Sequence, residues 1–263
     1  MSWFSHWARR SPILSFFVLV FATEWLLVLT LGPRMSPLVA LLVGSWLPNI
    51  AGLLVTAIAD GEAGLRNSLG KFAVRRTHLR WYAIATMGPV AVAFLASALY
   101  VLAGNAAPPV VPLSMMLPLL VFNAILGPMG EELGWRGTAL PRLQVRWGVL
   151  TSSLVLGALW GLYHLPAFYM PGLPRQSVPP LAFMAGAVGF SVFISWLFNR
   201  TGQSLLVASL SHLAFNMTGS ATGLYEAPTL FGLTAGVWLV LAAAIIVFDW
   251  ASSPGLGHQQ SKA

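Results

Sequence analysis

The sequence predicts an all-α fold: a polytopic transmembrane helix bundle of about eight spanning helices with a cytoplasmic N-terminus. Three observations predict it. The 263 residues are 57% hydrophobic and only 8% charged, against roughly 25% charged in a soluble domain, and the mean hydropathy is +0.77. The apolar residues gather into runs of about 20, the length a helix needs to cross the hydrocarbon layer. The basic residues concentrate in alternate gaps between those runs.

In chain order, Pro12–Leu31 is long and lacks a small-residue cleavage site, so it reads as a retained helix rather than a signal peptide. Pro37–Ala59 follows, with Pro48 and Asn49 marking a kinked, packed segment. The longest polar gap, Asp60–Arg80, sets Leu65, Leu69, Phe72 and Leu79 among five cations, as in an amphipathic stretch lying on a membrane surface. Trp81–Ala103 is closed by the Gly, Asn and Pro residues of 104–109. Then come Val111–Gly130, Trp147–Phe168, Pro179–Phe198, the short Ser204–Gly219 and Thr229–Trp250. Residues 1–250 form a single membrane domain without internal repeats, and 251–263 a polar tail of disordered composition.

Eight spans with both termini inside put twelve of the fourteen basic residues in cytoplasmic segments, leaving Arg34 and Arg175 outside. That is the positive-inside bias, and it accounts for the net charge of +7 without nucleic acid as a partner. The absence of cysteine excludes disulfides and thiol chemistry.

An ionisable group inside a bilayer costs about 2.5–3.5 kcal/mol on insertion scales and is a functional candidate by default. The apolar runs contain Glu24, Glu131, Glu132, His164 and His212, with Asn49, Asn123 and Asn216 as uncharged companions. If the fourth helix ends at Pro141, Glu131 lies ~14 Å from its cytoplasmic end, with His164 at ~25 Å, His212 at ~12 Å and Asn216 at ~18 Å. These depths overlap loosely, with His164 the deepest. Glu132 and Arg136, at i and i+4, share a face as an ion pair. Glu131 is turned about 100° from Glu132 and points elsewhere. Trp160 and His164, and His212 and Asn216, repeat the i,i+4 spacing. A carboxylate in a dry pocket can serve as a general base, imidazoles can share its proton, and an amide can stabilise an oxyanion. Glu131, His164, His212 and Asn216 are enough to activate water against an amide carbonyl. Each element also has a structural reading: single histidines as interhelical hydrogen bonds, Glu132–Arg136 as a helix anchor, Glu24 as a packing contact, and Asn123 as support for Glu131.

The ordered set Glu131-Glu132-x-x-x-Arg136, Trp160-x-x-x-His164 and His212-x-x-x-Asn216, with gaps of about 30 and 50 residues, resembles the CAAX protease and bacteriocin-processing (CPBP, or Abi) family of intramembrane endopeptidases. The resemblance covers Leu117 to Gly219, with Trp160 where the family's second motif usually has Phe. It implies that Glu131 activates water with help from His164, that His212 and Asn216 line the oxyanion site, and that Glu132 and Arg136 orient the helix or contact substrate. The family has been called metalloprotease. This chain has no His-Glu-x-x-His segment, although Glu131, His164 and His212 would make a His₂Glu zinc site if they converged. The preferred reading requires no cofactor.

Two function classes remain. One is an intramembrane endopeptidase, CAAX prenyl protease-like, acting on a peptide or protein substrate that is lipid-modified or membrane-embedded. The other is a non-enzymatic bacteriocin immunity or membrane scaffold protein using the same polar cluster. The complete motifs favour the enzyme. The expected location is a prokaryotic cell membrane, with the active site open toward the cytoplasm.

Overall fold

A computed structural model describes residues 3–73, 77–109, 111–170, 172 and 177–250. The expected polar tail, 251–263, lies outside the described residues, as do Arg75, Arg76, Arg175 and Lys262 among the basic residues used for sidedness.

Among the described residues there are ten α-helices and no strand. They are α1 (Trp3–Arg10), α2 (Pro12–Leu26, prolonged by a π turn to Leu31), α3 (Pro37–Gly70), α4 (Leu79–Leu102), α5 (Leu113–Ile125), α6 (Pro128–Glu132), α7 (Leu140–His164), α8 (Pro180–Arg200), α9 (Leu205–Ala221) and α10 (Pro228–Ile245). Among the described residues, six stretches are long and apolar enough to cross a membrane, while α9 has only 17 residues. The expected surface stretch begins as a bend. Gly61 turns α3 with φ +67°, and Asp60 beside it pairs with Arg142 of α7.

The polar cluster owes its position to the chain between α5 and α7. This apolar stretch is broken instead of forming one straight rod. α5 stops at Ile125, α6 restarts at Pro128, and a π-helical segment, Leu133–Ala139, runs into α7. The side chain of Asn49 bridges the irregularity. Its amide donates to the Met129 carbonyl at 2.7 Å, and its oxygen accepts from the Gly134 N–H at 2.9 Å. Backbone groups that a regular helix would pair internally are thus satisfied across helices, as burial in a membrane demands.

The sequence expectation that the fourth helix stops at Pro141 is corrected here. Pro141 lies in the first turn of α7, where a missing N–H is tolerated, and the chain reverses only at Gly148. There φ is +72° and ψ 177°, a conformation that disfavours any side chain. Glu131 is seventeen residues before this turn and His164 sixteen after it, so the two arms bring them level. The depth difference expected from the sequence disappears.

The core is aromatic and aliphatic. Phe16 packs edge-on to Trp135 at 5.4 Å between centroids, Trp135 to Tyr163 at 5.4 Å, and Phe190 against Phe215 at 4.5 Å. The helix ends separate by charge. Arg9, Arg10, Arg66, Lys71, Arg80, Arg142, Arg146 and Arg200 share one end, and Arg34 is the basic residue described at the other. Lys71 is more than a surface anchor. It is buried, reaching the Gly137 carbonyl at 3.4 Å with its ammonium 5.8 Å from the Phe198 ring centroid.

Candidate active site

Glu131 and Glu132 are both buried, 3% and 0% exposed, and they point in different directions. Glu131 reaches α7. Its Oε2 accepts the indole N–H of Trp160 at 2.7 Å and that of Trp135 at 3.2 Å. Its Oε1 lies 3.9 Å from Nε2 of His164. His164 Nδ1 is 2.8 Å from the Trp160 carbonyl. A carbonyl only accepts, so Nδ1 carries a proton and Nε2 is the nitrogen turned toward Glu131. One carboxylate oxygen is anchored by two indole N–H donors, and the other faces Nε2 across a gap longer than a hydrogen bond, which a water can bridge.

Glu132 reaches α9. Its Oε1 takes a 3.0 Å ion pair from Arg136 and a 2.7 Å hydrogen bond from Nδ1–H of His212. Arg136 is fully buried, and its guanidinium carbon lies 4.9 Å from the Trp160 ring centroid. The ring face receives part of a charge whose remaining N–H groups find no acceptor among the described residues. Nε2 of His212 and the amide of Asn216 close on Gly127, at the break before α6, where a Cβ would meet both.

Three cavities meet around these groups. One, of about 40 Å³, is bordered by Glu131, Trp160, His164, His212 and Asn216 and walled by Phe183, Phe190, Phe215, Phe231 and Trp238. A second, of about 30 Å³, lies on the other side of Glu131 and His164, between α2, α3 and α7. A vestibule of about 780 Å³ lies between residues 106–109 and 222–227 and touches Asn216 and Leu126. Glu131, His164, His212 and Asn216, expected from the sequence to share a pocket, border the first cavity together.

Residues 113–218 match the family described as Rce1-like, type II CAAX prenyl endopeptidase. CAAX prenyl protease 2 of Methanococcus maripaludis is 27% identical over 136 residues, 49% of each chain. The matched segment is thus similar to the CAAX prenyl endopeptidases. This chain spans about half the length of that relative.

The family segment contains Glu131, Glu132, Arg136, Trp160, His164, His212 and Asn216, and also Asn123. Asn123 does not support Glu131: it joins α5 to α9, donating to Ser220 Oγ at 3.1 Å and to the Leu119 carbonyl at 2.9 Å. Three further residues border or hold the site. Trp135 and Tyr163 gave no signal in a sequence with many aromatics, and Asn49 was visible only as a kink marker. Among the described residues, no three His, Asp or Glu side chains gather closely enough to hold a metal ion. The alternative set Glu131, His164 and His212 is divided because Glu132 holds Nδ1 of His212 and the Nε2 of that ring closes on Gly127.

The vestibule adjoins the ends of α4 and α9 and the loop leading into α5, opposite the basic end of the bundle.

Proposed function

We propose that this protein is an intramembrane endopeptidase hydrolysing a peptide bond with water activated by Glu131 and His164. The observation that carries the reading is the opposed pair, Glu131 Oε1 and His164 Nε2, beside an aromatic cavity. Water between them gives a proton to Glu131 as its oxygen attacks the scissile carbonyl. The carbonyl oxygen becomes an oxyanion facing Asn216 and His212. The Asn216 amide supplies a donor to it, and His212, held by its Nδ1 bond to Glu132, stands beside it. Collapse of the intermediate breaks the C–N bond, and the leaving amine takes the proton stored on Glu131.

The substrate class follows from the relative's name and the cavity. A small apolar group fits among Phe183, Phe190, Phe231 and Trp238, and the larger vestibule has room for a prenyl-type chain and the peptide. The test is an internally quenched peptide ending in farnesyl-cysteine and three further residues, presented in detergent or liposomes. Cleavage by the wild type and none by Glu131→Gln is expected; equal rates would overturn the reading. The scheme uses no metal, so a chelator should leave the rate unchanged. Loss of activity restored by zinc would replace this mechanism with a metal-dependent one.

The basic end faces the cytoplasm on the positive-inside rule, which turns the vestibule toward the opposite leaflet. Because the chain has no cysteine, single replacements report sidedness directly. Glu226→Cys should react with an impermeant maleimide in intact cells and Arg66→Cys only after lysis. The reverse pattern would invert the orientation.

A further inference from the structure

Glu24 is the one ionisable side chain of α2 and its extension and is 6% exposed. It has no part in the scheme above, yet it borders the 30 Å³ cavity whose far wall is Glu131 and His164. Ser45 and Tyr163 complete the polar lining. An ordered water needs roughly 10–15 Å³ and two to four polar partners, so the cavity has room for about two. The contrast with the aromatic cavity across Glu131 is chemical: that wall suits a hydrocarbon and this one suits water.

The placement of Glu24 depends on a bare backbone. A Cβ on Gly44 would stand 2.9 and 3.0 Å from its two carboxylate oxygens. The Gly44 carbonyl is held from the other side by the Tyr163 hydroxyl at 2.5 Å. A residue larger than glycine would push the carboxylate out of its position over α3.

We propose that this chamber is the water side of the site and that Glu24 is a positioning residue for the hydrolytic water, an inference that rests on the hydrolase reading. Glu131 Oε1 and His164 Nε2 stand 3.9 Å apart, longer than a hydrogen bond. A water fits between them, and the chamber reaches both. The first water gives its two hydrogens to these atoms. A second donates one hydrogen to Glu24 and one to the first water. One lone pair of the first water is then occupied, and the other faces the substrate cavity.

Glu24→Leu and Glu24→Gln test the idea, compared with wild type in kcat, KM, Tm and hydroxyl-radical labelling. Bound water is the local radical source, so Met170, a buried residue lining the chamber, reports its hydration. Phe16, in the packed core, is the dry control. Glu24→Leu should lower kcat about 10²-fold, the usual scale for misplacing a reacting group by about 1 Å, with KM unchanged. Its Tm should hold or rise, because an apolar replacement removes a buried charge. The Gln variant should fall between, and Met170 labelling should drop in the Leu variant while Phe16 stays unlabelled throughout. Wild-type kcat in Glu24→Leu, a loss of kcat that only follows a loss of Tm, or an unlabelled Met170 in the wild type would overturn the proposal. If the wild type cleaves no peptide, the hydrolase reading fails, and the labelling still decides whether the chamber holds water under the control of Glu24.

Discussion

Glu131 and Glu132 are neighbours in the chain and opposites in surroundings. Glu131 is held by two indole N–H groups that carry no charge and faces two cavities. Glu132 is held by an arginine and a histidine and faces neither. Neutral donors fix one oxygen of the Glu131 carboxylate in place while the other faces the cavities. A cation compensates the charge and gives the carboxylate a structural duty. The difference explains how a membrane domain can maintain two adjacent acids: the i,i+1 rotation sends them to different helices, and each helix supplies a different kind of partner.

The largest expected effect breaks the comparison on the cavity side. Glu131→Gln preserves shape and removes proton acceptance, so kcat should fall about 10²–10⁴-fold, the range for general base catalysis, with Tm little changed. Glu132→Gln should do the reverse in character. It leaves Arg136 buried without its carboxylate, and breaking a buried pair costs roughly 3–5 kcal/mol. A large drop in Tm in detergent is expected, with activity lost in proportion to the unfolded fraction at assay temperature. Equal Tm losses in the two variants would mean that both acids are structural.

The helical class, the element order and the motif residues were legible because hydropathy and i,i+4 spacing are local properties. Glu132–Arg136 is such a pair and is present as an ion pair. What local rules could not supply was the route of the chain between motifs. The reversal at Gly148, past a proline that looked like a terminator, equalises the two arms and brings His164 level with Glu131. Asn123 shows the same limit. It lies eight residues before Glu131, on the same face only if one helix runs through both, and the break at 126–127 ends that register. The partners of Glu131 were hidden for another reason: Trp135 and Trp160 are two of eleven tryptophans, and nothing in their spacing distinguishes a donor from packing.

Trp160 touches both sides of the comparison and gives the smallest and most discriminating effect. Its N–H donates to Glu131, and its face lies under the Arg136 guanidinium. Phe, the residue usual at this point of the second motif, would retain a face for the cation and lose the N–H. A hydrogen bond to a charged group contributes about 1.5–3 kcal/mol, and Trp135 would still hold the same oxygen. Trp160→Phe should therefore lower kcat by about tenfold, roughly 1.4 kcal/mol, through a less firmly held Glu131, while Tm stays close to wild type because the Arg136–Glu132–His212 group retains its cover. Trp160→Leu, lacking the face as well, should add a loss of Tm to the same loss of kcat. If Phe lowers Tm as much as Leu does, the indole serves the buried pair rather than the reacting carboxylate. If Phe changes neither quantity, Trp135 alone holds Glu131, and the division between a neutral and a charged surrounding rests on one tryptophan instead of two.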